Sequence, residues 1–378
     1  MRTDRRTVLT GPAAFAAAPL AGAMLAPSQA SAQSASRAVF LANDTAFKEP
    51  EEFARELSAL TSRYNGALDI YMEGGAVGEL EQAFASLLGK EACVFLPTGT
   101  LANHLAVKTL CGPNPRALCL HDSHVFRDEN DSLPTLGEIA LVPFPKGRIA
   151  PTTADLDEAF DIATRGPRPV SIGAISLESP IRRIDGQMIP FADIERIAAK
   201  AREYGTRLHL DGARLLLAPP GFDFAGYVAP FDTVYVSLYK YLGAPFGAVL
   251  AGSAGHIETI RRQAAIYGST LFNGWVAALP ALDGLKSFRQ DYEAAWTRGE
   301  ELLSAISASG YSLRAPVGGM GTNVHHILMS EDQAKAILTR AAAREIYFHE
   351  WSNGALPVQI NTSILNQPLD DIASIFAG

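Results

Sequence analysis

Lys240 and Asp211 are the two residues whose types and surroundings best support chemistry. Lys240 follows an apolar run at 233–237 and precedes a glycine-rich turn and a second apolar run at 247–251. A lysine in that setting is partly desolvated, which favours the neutral, nucleophilic amine that forms a Schiff base with an aldehyde. Asp211, 29 residues earlier, ends another apolar run at 207–210. The pair predicts an aldehyde-bearing cofactor held between an amine and an acid.

Pyridoxal 5′-phosphate (PLP) is the cofactor that needs this pair. Its aldehyde carbon bonds a lysine, and its pyridinium proton is held by a carboxylate. Each residue has a plainer interpretation alone, since Asp211-Gly212 is also a common turn and most lysines are solvated cations. Their order, and the strand ends on which both lie, favour the cofactor site.

Two further strand ends add candidate groups. Thr98, Gly99 and Thr100 follow an apolar strand at 92–96 and open a helix, where amides and hydroxyls suit a phosphate; a plain threonine N-cap is the alternative. His124 follows another strand end and could stack on a flat ring or act as a base, with His121 as a competitor or a structural histidine as the alternative. Ligands of open α/β sheets bind at such carboxyl ends.

The alternation of strand and helix patterns predicts an α/β fold. Strand candidates lie at 92–96, 117–120, 139–142, 170–177, 207–210, 233–237 and 247–251, and clear helices at 49–61, 79–88, 156–163 and 191–204. This order predicts a mainly parallel sheet with helices on both faces. Longer helices with few strands follow, so we expect a large domain at 33–254 and a smaller α+β C-terminal domain at 255–378.

Composition and the first residues limit the function classes. The chain has 378 residues, 48% of them hydrophobic, and a net charge of −8, so nucleic-acid binding has no electrostatic support. Three cysteines form no disulfide framework, and no metal-binding motif of credible spacing is present. Residues 1–32 combine a twin-arginine pair, an alanine-rich stretch and an A-x-A motif, which predicts a cleaved export signal, a periplasmic protein and no membrane association afterwards; an uncleaved leader is the alternative.

The chain resembles the threonine aldolase and β-eliminating lyase group of PLP enzymes, which have the aspartate-aminotransferase type of fold. The resemblance covers about residues 41–278. Its most specific part is the run His209-Leu-Asp-Gly-Ala-Arg214 with Lys240 downstream, supported by segments 43–45, 71–81, 96–103 and 177–178.

The resemblance implies a role for each matching residue. Lys240 would hold PLP as a Schiff base, Asp211 would pair with its pyridine nitrogen, and Arg214 would lie near the ring 3-oxygen. Gly99 and Thr100, with Thr98, would bind phosphate, and His124 would stack on the ring and take a substrate proton. It also implies an amino-acid substrate and a homodimer or homotetramer. We expect Asn43, Glu129 and Arg182 to contact the substrate.

Three departures from the family pattern affect the substrate half of the site. No histidine follows Leu177-Glu178, Gln359 stands where a late-strand arginine grips the substrate carboxylate, and the phosphate-binding segment at 264–272 is uncharged. Losing a bidentate arginine matters for carboxylate recognition; Arg182, Arg183 or Arg127 are the candidate substitutes.

The resemblance implies a lyase that cleaves a β-hydroxy-α-amino acid to glycine and an aldehyde. A PLP-dependent β-elimination, racemisation or transamination is the alternative, and a non-catalytic PLP-binding protein is a further one. A serine hydrolase built on Ser253 has weaker support, because its Gly-x-Ser-x-Gly motif is incomplete. The adjacent His325 and His326 point to opposite faces of a strand and are interpreted as structural.

Overall fold

The apolar runs form strands whose bounds match the sequence pattern closely. The computed structural model describes residues 37–46, 48–165, 167–316 and 318–377. In chain order the strands are β1 (Val39–Leu41), β2 (Ala92–Leu96), β3 (Arg116–Cys119), β4 (Ala140–Pro143), β5 (Ile172–Glu178), β6 (Arg207–Asp211), β7 (Thr233–Ser237), β8 (Ala248–Gly252), β9 (Ser312–Leu313), β10 (Val324–Leu328), β11 (Ile346–Phe348) and β12 (Ala355–Gln359).

The helices lie between the strands, as the alternation predicts. They are α1 (Pro50–Arg63), α2 (Gly75–Leu87), α3 (Gly99–Cys111), α4 (His124–Arg127), α5 (Thr153–Thr164), α6 (Phe191–Glu203), α7 (Phe224–Val228), α8 (Ala254–Ile266), α9 (Trp275–Ala308), α10 (Glu331–Ala342) and α11 (Leu369–Ala373). Helix α2 starts earlier than predicted, because Gly74 at its N-cap adopts a φ of 68° and turns the chain into the helix.

A seven-stranded sheet places the predicted site residues at one edge. Its order is β2-β8-β7-β6-β5-β3-β4, in which β8 runs antiparallel to both β2 and β7 and the other pairs are parallel. Strand β2 therefore points the same way as β3, β5, β6 and β7. The carboxyl ends of these strands lie at the same edge of the sheet, where ligands of α/β proteins bind.

Apolar side chains cover both faces of this sheet. Along β2, Cys93 and Phe95 belong to the larger core and pack with α2 and the start of α9, whereas Val94 and Leu96 belong to a second core with α3 and α8. Successive side chains of a strand point to opposite faces, so this division shows that β2 is buried on both faces of the sheet. The predicted mainly parallel α/β sheet with helices on both faces is confirmed.

The C-terminal elements build a separate core around a smaller sheet. Strands β12, β10 and β9 form it in that order, and β1 pairs in parallel with β11, joining Val39 to Ile346. The first described strand therefore packs with the C-terminal elements, although the predicted division groups it with the large domain. Residues 37–378 form one compact unit by their contacts, so the boundary at residue 254 stays a prediction.

The predicted export signal at 1–32 lies outside the described residues. Across the described ranges, no helix combines the length and apolar character needed to cross a bilayer.

Candidate active site

A cavity of about 1000 Å³ lies at the carboxyl edge of the large sheet. It is lined by nearly all of the predicted site residues: Asn43, Thr98, Gly99, Thr100, His124, Arg182, Asp211, Arg214 and Lys240. Strand ends scattered over some 200 positions of the sequence thus meet at one place. Glu129 is the predicted residue that is absent from the cavity wall.

The start of α3 forms one side of the cavity. Thr98 is the N-cap of α3, and its hydroxyl accepts a hydrogen bond from the Leu101 amide at 3.2 Å. Gly99 and Thr100 follow as the first helical residues, where amides lack partners within the helix. The N-cap interpretation of Thr98 is therefore correct, and it is compatible with an anion at the same helix end.

Asp211 is a buried acid aimed at the cavity. Its side chain ends β6, and the residue is 3% exposed. One carboxylate oxygen accepts from the Ala213 amide at 3.0 Å and the other from the Asn103 side-chain amide at 2.8 Å. No ion pair of Asp211 is present among the described residues. Its negative charge is therefore held by neutral donors and is available to a cationic group in the cavity.

His124 is the cavity residue best placed to move a proton. Its ring Nδ1 lies 2.9 Å from a carboxylate oxygen of Glu129, and its backbone amide donates to Glu178 at 2.6 Å. The hydrogen bond to Glu129 raises the pKa of His124, against the opposing effect of burial. The Nδ1 atom is occupied by Glu129, so Nε2 is the ring nitrogen that remains for a substrate.

Glu129 supports His124 from behind and does not reach the substrate space. Its carboxylate side chain is fully buried and receives hydrogen bonds from His124 and from Asn103. The expected direct contact of Glu129 with substrate is therefore corrected. The reason is tertiary: Asn103 of α3 holds the Glu129 carboxylate in the interior, whereas His124 lines the cavity.

Glu178, at the end of β5, is a cavity residue whose chemistry the sequence did not indicate. Its carboxylate accepts hydrogen bonds from the backbone amides of His124 and Arg182. Burial, and then the nearby charge of Asp211, raise its pKa from 4.5 to about 7. This carboxyl group is therefore partly protonated near neutral pH.

Lys240 projects from the loop after β7. It is half-buried, its amine donates to the Tyr239 hydroxyl at 2.9 Å, and the amine lies 4.4 Å from the centre of the Tyr239 ring. The amine and the Asp211 carboxylate thus line the same cavity, as the pairing of the two residues requires.

Arg214 and Gln359 are linked through an acid that the sequence did not single out. Arg214 Nε donates to an Asp44 carboxylate oxygen at 2.9 Å, and the Gln359 side-chain amide donates to the same oxygen. Arg214 is therefore held in place by Asp44 on the cavity wall. Gln359, at the end of β12, contributes an amide where a cation was expected from the resemblance.

His326 and His349 add imidazoles to the lining of the cavity, and sequence reasoning proposed neither as a site residue. His326 on β10 lies 3.3 Å from Asp185, and both of these residues line the cavity together with His349. His326 lines the cavity and His325 does not, and the structural interpretation of both histidines stays a prediction. Strand alternation separates the two; only the packing of the small sheet on the large one shows which face meets the site.

Arg182 is a weakly held cation on the cavity wall. Its side chain is 51% exposed, and its ion-pair distance to Asp128 is 3.8 Å. Arg183 makes the closer contact with Asp128. The guanidinium of Arg182 can therefore turn to an anionic group in the cavity, because breaking its long ion pair with Asp128 costs little free energy.

The residues present fit PLP. The cavity offers a lysine amine, a buried carboxylate without a cationic partner, an imidazole and a helix N-terminus, which match an aldehyde, a pyridinium, a flat ring and a phosphate. Asp211, Glu129 and Glu178 concentrate buried acid here, and a ring N–H⁺ would offset it. Ligating atoms of His124, Glu129 and Asp211 also lie within 4.8 Å of one another, a spacing that could hold a metal ion. His124 Nδ1 and one oxygen of each carboxylate already make hydrogen bonds, to one another or to Asn103, whereas Glu129 Oε2 has no partner among the described residues.

Ser253, the candidate nucleophile of a hydrolase, has a different role. Its hydroxyl is the N-cap of α8 and accepts from the His256 amide. It does not line the cavity, so this geometry gives the hydrolase alternative no support.

The fold and the site define an α/β protein that holds a cofactor between a lysine and an acid at the carboxyl edge of its sheet. The β-eliminating lyase family profile matches residues 57–349, and the chain belongs to that family. Accordingly, it is a PLP-dependent lyase with the fold predicted from the resemblance.

Individual relatives agree with this placement. Low-specificity L-threonine aldolase 1 of Arabidopsis thaliana is 30% identical over 75% of this chain and 78% of its own length. Low specificity L-threonine aldolase of Escherichia coli is 27% identical over 74% of this chain and 82% of its length. A Listeria monocytogenes structure described as an L-allo-threonine aldolase has a TM-score of 0.75 and 25% identity, covering 89% of this chain and 94% of its own.

Proposed function

We propose that this protein is a carbon–carbon lyase of the threonine aldolase type, which cleaves a β-hydroxy-α-amino acid to glycine and an aldehyde. The observation that carries the proposal is the meeting of Lys240, Asp211 and the His124 imidazole in one cavity. The names of the relatives add support, because they are threonine aldolases.

The reaction divides between the cofactor and the residues of this chain. When bound, PLP supplies the electron sink for the bond that breaks. Lys240 would anchor the cofactor, and Asp211 would pair with its ring nitrogen. His124 removes the proton of the substrate β-hydroxyl through Nε2, since Nδ1 is held by Glu129. Its neutral form is needed for this step.

Arg182 is our candidate for the substrate carboxylate. It lines the cavity, and its own ion pair is long, whereas Arg214 is already held by Asp44 at 2.9 Å. A guanidinium suits a carboxylate through paired N–H groups. Asn43 lies exposed on the same cavity and adds an amide.

A product assay tests the function. Purified protein with PLP is incubated with L-threonine, L-allo-threonine and 3-phenylserine, and glycine and aldehyde are measured. We expect equal amounts of both products from at least one substrate and none from Lys240→Ala. The exposed Lys286 on α9 provides the control Lys286→Ala, which should keep full activity. No glycine from any of the three would contradict the proposal.

β-Elimination is the second candidate. It is favoured by the Gln359 amide, a neutral donor at the place where the family pattern has an arginine, because a site without that arginine permits a different substrate orientation. Elimination gives a keto acid and ammonia instead of glycine and an aldehyde. Measuring all four compounds in the same reaction separates the two candidates.

We further propose that the protein is exported to the periplasm by the twin-arginine route. The support is the sequence of residues 1–32, and this route carries folded proteins, which suits a cofactor inserted before export. The double change Arg5→Lys and Arg6→Lys should leave the protein in the cytoplasm upon cell fractionation. Periplasmic recovery of this variant at the wild-type level would contradict the route.

A homodimer or homotetramer is our proposal for the assembly. Ile70, Tyr71 and Phe272 are each more than half exposed, and the rings of the last two lie 5.2 Å apart. Grouped exposed apolar side chains favour association. Light scattering of the purified protein should give two or four times the chain mass, and a monomer at micromolar concentration would contradict this proposal.

A further inference from the structure

A chain of buried polar side chains lies behind Asp211, away from the cavity. Asn103 on α3 is fully buried, as are His209 on β6 and Thr233 on β7. Asparagine is a poor residue for a helix interior, and these three side chains bond one another. A buried polar set of this kind has a defined arrangement only if its donors and acceptors are all matched.

The Asn103 amide is the centre of this chain. Its nitrogen donates to Asp211 at 2.8 Å and to Glu129 at 2.8 Å, while its oxygen lies 3.0 Å from His209 Nε2. Both N–H groups of the amide therefore donate to carboxylates, one to Asp211 and one to Glu129. The carbonyl is left to accept, so His209 must donate through Nε2.

His209 can do so in one neutral form. Burial lowers its pKa to about 4, so the ring is neutral at physiological pH and carries a single N–H. With Nε2 donating, Nδ1 accepts, and Thr233 lies 2.9 Å away with a hydroxyl to donate. Because residues i and i+2 share a strand face, His209 and Asp211 both point toward α3. The order of donation runs from Thr233 to His209 to Asn103 to the carboxylates.

We propose that Asn103 is a positioning residue that holds the Asp211 carboxylate ionised and turned toward the cofactor ring, and that His209 and Thr233 fix the orientation of the Asn103 amide. An amide flip would place the Asn103 carbonyl against two acids. The His209 donor opposes that flip, because it needs an acceptor at the position that the carbonyl occupies.

The inference rests on the PLP site used in the proposed function, and it does not depend on which bond is cleaved. The test therefore uses the holoenzyme without substrate. The readouts are the dissociation constant of PLP and the pH midpoint of the visible absorbance change of the bound cofactor. A failed aldolase assay with the expected midpoint shifts would reject the reaction and leave this inference standing.

Asn103→Leu removes the donor from Asp211. The lost charge-assisted hydrogen bond should weaken PLP binding about tenfold or more. The acid also takes up a proton more easily and stops stabilising a positive ring. Loss of that charge raises the pH at which the Lys240 linkage loses its proton, so the midpoint should rise by about one unit.

The matched set is Thr233→Val, Thr233→Ser and Thr206→Val. Thr233→Val should move the midpoint in the same direction by a smaller amount, and Thr233→Ser, which keeps the hydroxyl, should restore it. Thr206 is a buried threonine that donates to the Ile172 carbonyl before β6. Thr206→Val should lower the Tm and leave the midpoint unchanged.

The Thr233 variants decide the outcome even where Asn103→Leu fails to fold. If Thr233→Val lowers the Tm as Thr206→Val does and keeps the wild-type midpoint, the three residues only fill the core and the proposal is overturned. A midpoint shift in Thr233→Val that Thr233→Ser reverses supports it.

Discussion

His124 and Glu129 make the proton chemistry of the site depend on pH. Glu129 is buried and bonds His124 Nδ1, which raises the histidine pKa and restrains its ring. A base must be neutral to act, so activity should increase as the pH rises through this raised pKa.

Glu129→Gln removes the carboxylate whose hydrogen bond raises the His124 pKa. The acidic limb of log(kcat/KM) against pH should then move to lower pH by about one unit, and the plateau should fall because the ring is less firmly held. Steady-state rates from pH 5 to 9 measure both effects. Asp131→Asn, an exposed change in the same loop, is the control; an unmoved limb in Glu129→Gln would assign the base to another group.

The two adjacent histidines of β10 allow a matched test of whether His326 in the cavity lining contributes to substrate recognition. His326 lines the cavity and His325 does not. His326→Asn should raise KM severalfold, consistent with about 1 kcal/mol for a lost hydrogen bond. His325→Asn should leave KM near wild type, even where the loss of its half-buried ring lowers the Tm. Equal KM values for both variants would remove His326 from substrate recognition.

At the scale of elements, the start of α3 depends on a residue without a side chain. A Cβ added at Gly99 would overlap the Tyr235 hydroxyl, and Tyr235 is buried beneath the helix. The helix N-terminus can therefore approach β7 closely enough to form the cavity wall. A larger residue forces the helix or the ring to move.

Gly99→Ala should destabilise the protein by about 1–3 kcal/mol through overpacking and weaken PLP binding about tenfold. Gly78→Ala is the control, since its Cβ meets no atom within 4 Å inside α2, and it should stabilise by about 0.5–1 kcal/mol. Chemical denaturation and PLP titration measure the two quantities. A Gly99→Ala protein with wild-type PLP affinity would show that phosphate does not use this helix end.

Sequence patterns predicted the strands and helices, because their bounds follow from the spacing of apolar residues along the chain. Strand β2 and strand β7 match the predicted bounds exactly as residues 92–96 and 233–237, since each is an apolar run between turn-forming residues. The asparagine at 103 was not predicted to matter, because on α3 its neighbours in sequence are apolar and its partners are 26 and more than 100 residues away.

At the scale of the whole molecule, the buried acids of the site link stability to pH. Glu178 has a pKa raised from 4.5 to about 7 in the folded chain. A folded-state pKa above the unfolded value means that the folded chain binds the proton more tightly. This contribution to stability is full below about pH 4.5 and is lost as the pH rises through about 7.

Glu178→Gln removes this titration. Between pH 4.5 and 8 the Tm of the wild-type apoprotein should fall relative to that of Glu178→Gln, and the two curves should run parallel above pH 8. Glu138→Gln, an exposed change, should follow the wild type throughout. Calorimetry over this range checks the prediction, and parallel curves from pH 4.5 upward would contradict it.

The amino-acid sequence by itself determined the sheet, the lysine–acid pair and the cofactor, because hydrophobic period and strand-end chemistry are local properties. Tertiary structure decided that Glu129 lies behind His124, that Asp44 holds Arg214 and that His326 faces the cavity. Asp44 and Arg214 are 170 residues apart, and His326 belongs to the three-stranded sheet. Their geometry depends on how helices and sheets pack, which no local pattern encodes.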